Sequence, residues 1–275
     1  MNRPAIMGIL NVTPDSFSGD GVLAEAALKQ ALQLAEAGAD ILDIGAESTR
    51  PGATPLSAEE EWARLEPVLT AIAAQPWRDR MRISIDTRHA ATAAHALNFG
   101  ASIINDVGGL ADDAMCETLE EHECDIVVMH ALSIPADASV TLPADADAIA
   151  EILAWKARVM ARAAAHGIGT HRLIYDPGIG FGKTAQQSLA LIERAAELKK
   201  SGGRWLIGHS RKSFMKLFET SLPDQKSVSS NASLRIHPRD ALTLQFSHQL
   251  ADAGIDYLRV HDVVGHTKLF ERLCT

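Results

Sequence analysis

The sequence predicts a (β/α)8 barrel, a closed ring of parallel strands that alternate with helices. Eight short apolar runs recur along the 275 residues, and helical patterns lie between them. The runs are continuously hydrophobic, which is typical of strands buried on both faces in a parallel sheet. In chain order they read AIMGIL, DILDIG, RISIDT, SIINDV, DIVVMH, RLIYDPG, RWLIGHS and DYLRVHDV.

A doubly wound open sheet is the alternative arrangement of the same elements. No G-x-G-x-x-G motif follows the first strand, which disfavours the dinucleotide-binding version of that fold. The sequence shows no repeat of fixed period and no linker that would divide the chain. We therefore expect a single α/β barrel domain over residues 1–275.

The helical patterns carry recognisable start and stop signals. The first has an apolar face formed by Leu28, Ala31, Leu32 and Ala35. Gly38 ends this pattern. The helix after the second strand begins with a capping box of Ser57 and Glu60 and contains Pro67, which we expect to kink it. Residues 184–203 read as one helix that ends in lysines and glycines.

Two stretches without helical or strand patterns are predicted as long loops. They are residues 132–148 and residues 219–238. The second stretch is rich in serine and other polar residues, which favours a mobile connection.

Composition and charge exclude several classes of protein. The chain is 47% hydrophobic and 22% charged with a net charge of −9, and it has no basic run of the kind that binds nucleic acid. Cys116, Cys124 and Cys274 form neither a C-x-x-C pair nor a zinc-binding spacing. The chain has no signal-peptide pattern and no apolar run long enough to cross a membrane. We expect a soluble cytoplasmic protein without nucleic-acid or membrane partners.

Polar side chains follow every predicted strand at the point where it ends. The groups are Asn11, Asp43 with Glu47–Arg50, Asp86 with Thr87, Asn105 with Asp106, His130, Asp176, Ser210–Ser213, and Arg259 with His261 and Asp262. Asn, Asp and Ser also cap helices, and this alternative stays open for any single position. Barrel enzymes build their sites at the C-terminal ends of the strands, so the convergence of all the groups predicts a site there.

Three of these groups are acceptors suited to a flat, donor-rich ligand. Asp86 and Asp176 supply carboxylates, and Asn105 supplies an amide. Such a set matches a heterocycle whose edge presents several N–H donors. For Asp176 the alternative is a structural role, in which its side chain caps the turn before Pro177.

Basic residues at the same strand ends suit a phosphate group. They are Arg50, Lys212, Arg259 and His261. Arginine binds phosphate through two parallel hydrogen bonds, and lysine acts as a point charge. The alternative is that these residues pair with Asp86, Asp106 or Asp262. A lysine at a strand end can also form a Schiff base, but we favour a hydrogen-bonding cation for Lys212.

The glycine-rich stretch DPGIGFGK lacks the spacing of a phosphate-binding loop. Its glycines are predicted to let the backbone approach a flat ligand, with Phe181 as a wall. The sequence contains no H-E-x-x-H motif and no cluster of metal ligands. Any metal would be held by Asn11 and by substrate phosphates, an arrangement that suits Mg²⁺.

Seven motifs together resemble the dihydropteroate synthase family over nearly the whole chain. They are GILNVTPDSFSGDG, DIGAESTRPGA, SIDT, INDV, DPGIGFGK, SRKSF and RVHDV, in the family order. The resemblance implies a (β/α)8 barrel of folate biosynthesis that is a homodimer. It also implies a transferase that joins a 7,8-dihydropterin methyl diphosphate to p-aminobenzoate and releases pyrophosphate.

The resemblance also assigns roles to the matching positions. It implies a pterin site of Asp86, Asn105, Met129, Asp176, Lys212 and Arg259. It implies a site for the diphosphate and its Mg²⁺ formed by Asn11, Arg50 and His261. It implies a p-aminobenzoate site framed by Thr49, Arg50, Pro51, Phe181 and Ser213. The catalytic set would be Asp86, Asp176, Lys212, Arg50 and His261. The loop after the first strand would be a mobile lid with Thr13, Asp15, Ser16 and Phe17.

The sequence departs from the family pattern in three places. The stretch between SRKS and RVHD is about a dozen residues longer than is typical. Lys216 stands where glycine is common, and SGDG changes the usual order of Asp and Gly. These departures leave sensitivity to sulfonamides open. Two rival functions remain, a methyltetrahydrofolate-type methyltransferase and a pterin-binding module without activity, although the basic residues favour a diphosphate substrate.

Overall fold

The computed structural model describes residues 3–13, 20–49, 52–221, 237 and 239–273. The strands are β1 (Ala5–Asn11), β2 (Ile41–Gly45), β3 (Arg82–Asp86), β4 (Ile103–Asp106), β5 (Asp125–Met129), β6 (Leu173–Asp176), β7 (Arg204–Ile207) and β8 (Tyr257–Val260). The helices are α1 (Asp20–Glu36), α2 (Ala58–Ala73), α3 (Ala90–Asn98), α4 (Asp113–Glu120), α5 (Ala148–Ala165), α6 (Ala185–Glu193), α7 (Ala195–Lys200), α8 (Asp240–Asp252) and α9 (Val263–Leu273). Short 3₁₀ segments lie at Arg78–Arg80, Thr170–Arg172 and Ser213–Ser221.

The eight strands form a closed barrel in chain order, and all neighbouring pairs are parallel. The ring closes where β8 pairs with β1, with Ala5 opposite Tyr257. A closed ring leaves no sheet edge, and the helices between the strands cover its outer surface. The predicted (β/α)8 fold is confirmed.

Local signals in the sequence account for several helix boundaries. The capping box of α2 is present in both directions, because Ser57 Oγ accepts from the Glu60 N–H and Glu60 accepts from the Ser57 N–H. The helix continues through Pro67 to Ala73. Gly38 has φ of 91°, a conformation that favours glycine, and it follows the end of α1 as expected.

Two predictions about the helices were wrong in part. The pattern over 184–203 is two helices rather than one, since α6 and α7 separate at Arg194. The Arg194 side chain turns toward Asp147 and Glu197, with hydrogen bonds of 2.7–3.2 Å. Leu32 was expected on the buried face of α1, but it is 37% exposed.

The structure describes one of the two predicted long loops, and most of the other lies outside the described residues. No helix or strand interrupts residues 132–147, so the expected loop before α5 is confirmed. Most of the stretch 219–238 lies outside the described residues, and the prediction made for it stays a prediction.

The barrel interior is layered because side chains alternate along each strand. An apolar middle layer is formed by Met7, Ile41, Ile103, Val127, Ile174 and Leu206. The main core lies outside this layer, between the strands and the helices. Several of the inward positions that follow toward the strand ends are polar, which places Asp43, Asn105 and Arg259 in the mouth of the barrel.

The structure also bears on the cysteines and on membrane spans. Cys116 and Cys124 are buried free thiols, and Cys274 lies outside the described residues. None of the helices in the described part of the chain combines the length and the apolar character that a membrane span requires.

Candidate active site

The mouth of the barrel centres on the guanidinium of Arg259, which lies between two carboxylates. Its Nε donates to Asp43 Oδ2, and its Nη2 donates to Asp86 Oδ2, both at 2.6 Å. Asp43 is fully buried and also accepts from Ser84 Oγ at 2.6 Å and from Asn105 Nδ2 at 3.2 Å. A buried carboxylate needs such partners, since losing water costs several kcal/mol. The network fixes the side chains of four strands at one level.

The ion pair at Arg259 matches one of the alternatives left open by the sequence. Of the three candidate carboxylates, Asp86 is the one that it contacts. The carboxylate of Asp106 instead accepts the backbone N–H groups of Gly108 and Leu110 at 2.7 and 2.6 Å. Pairing with carboxylates holds the guanidinium of Arg259 in the mouth of the barrel.

Burial dominates the ionisation of Asp86. Removal from water raises the pKa of its carboxyl to about 7, and the nearby charge of Asp43 adds to the rise. The guanidinium of Arg259 opposes this shift, as does the more distant Lys212. The mouth therefore holds an acid whose charge changes close to neutral pH.

Asp176 serves the fold with one oxygen and faces the mouth with the other. Its Oδ1 accepts the N–H of Gly178 at 2.8 Å, so the turn-capping alternative is correct for this atom. No described residue donates a hydrogen bond to Oδ2, which lies beside Gly208. Burial raises the pKa of the carboxyl, against the Gly178 hydrogen bond and the charge of Lys212. Oδ2 therefore remains available as an acceptor.

An apolar wall stands beside these carboxyl groups. Val107, Met129 and Phe181 are buried together in a cluster separate from the main core. The ammonium nitrogen of Lys212 lies 4.4 Å from the centre of the Phe181 ring. This cation–π contact places a positive charge and an aromatic face side by side. The pair could hold a flat ligand that carries a polar edge.

Lys183, to which sequence analysis assigned no role, secures this wall. Its Nζ lies 2.6 Å from His130 Nδ1 and 3.0 Å from the carbonyl oxygens of both His130 and Phe181. The two carbonyl oxygens accept hydrogen bonds from Nζ, and His130 Nδ1 is its third polar neighbour. Burial lowers the pKa of Lys183 to about 7. Burial and the charge of Lys183 lower the pKa of His130 to about 3, which keeps the ring neutral.

Two glycines of the DPGIGFGK stretch lie close against other parts of the protein. Gly178 has φ of 66°, and a Cβ there would collide with the carbonyl oxygen of His130. A Cβ at Gly182 would collide with Leu132. Gly178 and Gly182 therefore allow the loop to pack against the end of β5, where Lys183 forms hydrogen bonds with His130. The expectation that the glycines also let the backbone approach a flat ligand stays a prediction.

His261 does not carry the charge that sequence analysis expected. Burial, followed by the charges of Arg211 and Arg259, lowers its pKa to about 3, so the ring is neutral at pH 7. Its Nδ1 lies 3.0 Å from Ser210 Oγ, and its backbone N–H donates to the same oxygen at 3.3 Å. A single serine hydroxyl thus holds both the backbone and the ring of His261.

The segment after β2 is anchored by a pair that sequence analysis also missed. Glu47 accepts two hydrogen bonds from Arg88, at 2.8 and 2.9 Å, and one from the Leu56 N–H at 3.0 Å. Burial opposes ionisation, but the bonds from Arg88 and Leu56 hold the pKa of Glu47 below its usual value. This anchor constrains the segment that carries Thr49.

The remaining predicted site residues either lie at the rim of the barrel or lie outside the described residues. Asn11 ends β1 and is exposed, as is Ser213, while Thr13 and Thr49 are partly exposed. Predicted residues that lie outside the described part are Asp15, Ser16, Phe17, Arg50 and Pro51. Among the described residues, no group of three or more His, Cys, Asp or Glu side chains could hold a metal ion.

Comparison with curated proteins finds close relatives. A dihydropteroate synthase of Neisseria meningitidis serogroup B is 40% identical over 271 residues, covering 96% of this chain and 89% of that protein. A probable bifunctional folylpolyglutamate synthase/dihydropteroate synthase of Halobacterium salinarum is 41% identical over 263 residues, which are 95% of this chain. The chain spans only about 30% of the length of that bifunctional relative.

Solved structures with the same fold contain ligands. Dihydropteroate synthase from Anaplasma phagocytophilum with bound 6-hydroxymethylpterin-monophosphate has a TM-score of 0.85 and 34% identity, with 100% of both chains covered. The Xanthomonas albilineans enzyme with 4-aminobenzoic acid has a TM-score of 0.83 and 34% identity, covering 99% of this chain and 93% of that one. The pterin binding enzyme profile matches residues 7–261. The chain belongs to the family of pterin binding enzymes.

Proposed function

We propose that the chain is a dihydropteroate synthase. It joins a 7,8-dihydropterin-6-ylmethyl diphosphate to p-aminobenzoate and releases pyrophosphate. The observation that carries the proposal is the acceptor layer of Asp86, Asn105 and Asp176 in the mouth of the barrel, beside the ammonium of Lys212. The names of the relatives and the ligands of the solved structures support the same reaction.

The acceptor layer suits the pterin ring system. A pterin presents an amino group and ring N–H groups on one edge, and these donors match the oxygens of Asp86 and Asp176. The apolar face of Met129 covers the ring, while Lys212 and Arg259 complete the site. Because Asp43 already holds Arg259 from one side, the guanidinium stays in place when Asp86 turns to the ligand.

The diphosphate lies at the rim in this proposal. Asn11, Arg50 and His261 bind it, with the neutral ring of His261 acting as a hydrogen-bonding group. The amide oxygen of Asn11 fits Mg²⁺, because this ion takes one or two protein oxygen ligands together with substrate phosphates and retains several waters. Bound there, Mg²⁺ would neutralise charge on the leaving pyrophosphate.

The reaction breaks one bond and forms one. The carbon–oxygen bond between the pterin methylene and the diphosphate breaks, and pyrophosphate takes the electron pair. The amine nitrogen of p-aminobenzoate then bonds to the methylene carbon and loses a proton. Positive charge on the pterin is favoured by the carboxylates of Asp86 and Asp176. The arylamine is unprotonated at neutral pH, so the step needs no strong base.

The second substrate binds where the wall meets the rim. Thr49, Arg50, Pro51, Phe181 and Ser213 frame p-aminobenzoate in this proposal. Phe181 is the described member with the clearest support, since Lys183 and Lys212 hold its loop and its ring. The loop with Thr13, Asp15, Ser16 and Phe17 closes over the site. Sulfonamides resemble p-aminobenzoate and would compete for the same frame.

The family resemblance further supports a homodimer built from one barrel domain per chain, working in the cytoplasm. Light scattering of the purified protein tests the oligomeric state directly. A mass of one chain, about 29.5 kDa, would contradict the dimer.

Pyrophosphate release tests the activity. The protein is mixed with Mg²⁺, the pterin diphosphate and p-aminobenzoate, and both pyrophosphate and dihydropteroate are measured. We expect equal amounts of the two products and no pterin-arylamine product without p-aminobenzoate. Pterin binding without turnover would support the binding-module alternative, and methyl transfer from methyltetrahydrofolate would support the rival enzyme.

A further inference from the structure

The strands β7 and β8 separate before they reach the residues that carry chemistry. Their backbone pairing includes Leu206 with Tyr257 and Ile207 with Leu258. Ser210 lies beyond this ladder. Something other than strand pairing must therefore hold the two chain segments together at the rim.

A series of hydrogen-bonded, buried side chains from α8 and α9 joins these two segments on the side away from the mouth of the barrel. His209 Nε2 lies 2.9 Å from Ser247 Oγ on α8, and Ser247 Oγ lies 2.7 Å from His266 Nε2 on α9. His266 Nδ1 in turn lies 2.5 Å from the carbonyl oxygen of Asp262. The side chains of His209, Ser247 and His266 are fully buried. The chain thus runs from the end of β7 to the end of β8.

The carbonyl oxygens around these side chains fix the tautomers of the two histidines. A carbonyl oxygen only accepts, so His266 Nδ1 carries the hydrogen toward Asp262 and its Nε2 is an acceptor. His209 Nε2 faces the carbonyl oxygen of Thr243 at 3.1 Å and must therefore be a donor. Ser247 Oγ then accepts from His209, and its own hydrogen faces two acceptors, the Thr243 carbonyl oxygen at 2.8 Å and His266 Nε2 at 2.7 Å. Burial lowers the pKa of both rings, to about 4 for His209, which agrees with neutral tautomers.

The chain closes into a ring through the functional face. His209 is followed by Ser210, whose hydroxyl contacts the backbone N–H and the ring of His261. His261 is followed by Asp262, whose carbonyl ends the buried chain. The contacts therefore form a closed circuit that includes the hydrogen bonds between Ser210 and His261.

We propose that Ser247 is a positioning residue that holds Ser210 and His261 in the geometry required to bind the diphosphate. Ser247 acts through His209 and His266, does not touch the substrate, and replaces the missing backbone ladder between β7 and β8. The inference rests on the proposed function, in which His261 binds the diphosphate.

Ser247→Ala tests the inference, because His209 keeps the Thr243 carbonyl as an acceptor while His266 Nε2 loses its contact with the hydroxyl. We expect the affinity for pyrophosphate in the presence of Mg²⁺ to fall about tenfold, with pterin affinity changed by less than about twofold. Ser247→Thr retains a hydroxyl and should restore most of the loss. Ser188→Ala, which removes a buried hydroxyl on α6, is the matched control and should bind pyrophosphate like the wild type.

A double-mutant cycle separates positioning from general loosening. In a His261→Ala background, Ser247→Ala should have almost no further effect on pyrophosphate affinity, because the group that it positions is gone. An equal loss in both backgrounds would overturn the inference. Wild-type affinity in Ser247→Ala would overturn it as well.

Nitrogen-15 NMR of the wild-type histidines needs no substrate and no variant. We expect the Nε2–H tautomer for His209 and the Nδ1–H tautomer for His266 at pH 7. The opposite tautomer at His266 would remove the hydrogen-bond chain and refute the inference. If the wild type gives these tautomers but releases no pyrophosphate from the substrates, the proposed function is wrong while the hydrogen-bonded circuit is supported.

Discussion

The pKa values of carboxyl groups that contact arginine shift in opposite directions at the two ends of the barrel. At the N-terminal face, Asp125 accepts hydrogen bonds from Arg82 at 2.5 Å and Arg204 at 2.7 Å. Burial alone would raise its pKa, but the two guanidinium groups outweigh that effect and hold the pKa below its usual value. At the mouth, Asp86 also touches an arginine, yet burial raises its pKa to about 7.

The difference teaches that a cationic partner does not by itself keep a carboxyl group acidic. Asp125 has two guanidinium partners, and their hydrogen bonds and charges together outweigh the cost of burying its carboxylate. Asp86 has one arginine partner, which it shares with a second carboxylate, Asp43, and the negative charge of Asp43 adds to the rise in its pKa. The mouth therefore keeps groups near their ionisation point, which is a feature of functional sites.

The largest expected effect comes from removing charge at the mouth. Asp86→Asn and Asp176→Asn should each weaken pterin binding by about 1.5–3 kcal/mol, because a charged hydrogen bond to the ligand is lost. Asp125→Asn removes a carboxylate from the opposite end and should leave pterin affinity unchanged. Calorimetry with a pterin ligand compares the three variants. Wild-type affinity in both mouth variants would rule out the proposed pterin site.

Two lysines extend the comparison to cations. Lys183→Met removes three hydrogen bonds from a buried site, so we expect the free energy of unfolding to fall by about 2–3 kcal/mol. Lys199 at the N-terminal face pairs with Asp256 and is 33% exposed, so Lys199→Met should cost less than about 1 kcal/mol. Denaturant titration measures both values. Equal losses would mean that burial does not distinguish the two ends.

The pH dependence of Asp86 sharpens the comparison further. Its folded pKa lies above the unfolded value, so its contribution to stability is present at low pH and is lost as pH rises through about 7. Pterin binding needs the ionised form, so affinity should fall by up to about tenfold per unit as pH drops below 7. Stability from this group and pterin affinity should thus change in opposite directions between pH 5 and 7.

Asp86→Asn is the control for this pH experiment, with calorimetry and denaturant titration performed across the same range. The opposing slopes should shrink in this variant because the titrating group is gone. Slopes identical to those of the wild type would assign the pH dependence to another residue.

The smallest effect is expected at the N-terminal face. Arg82→Gln breaks one partly exposed ion pair, and Arg204 still contacts Asp125. The free energy of unfolding should fall by less than about 1 kcal/mol, with no change in pterin affinity. A thermal melt and one binding titration suffice. Altered pterin binding would show that the two ends of the barrel are coupled.

Much of the architecture follows from local patterns. Continuous apolar runs predict the strands, because a strand buried on both faces has no polar side to mark. The capping box at Ser57 and the glycine after α1 fix helix ends through nearest-neighbour hydrogen bonds and backbone conformation. The pattern did not predict the break at Arg194, where the side chain contacts Asp147, a residue far away in the chain.

The sequence by itself determined the barrel and the arrival of polar groups at its mouth, since strand period and strand ends are local properties. Tertiary structure decided which of those groups meet. Arg259 pairs with Asp43 and Asp86, which precede it by 216 and 173 residues, and Lys183 reaches back to His130. It also decided that His261 is neutral, because a pKa depends on burial and on charges brought close by the fold.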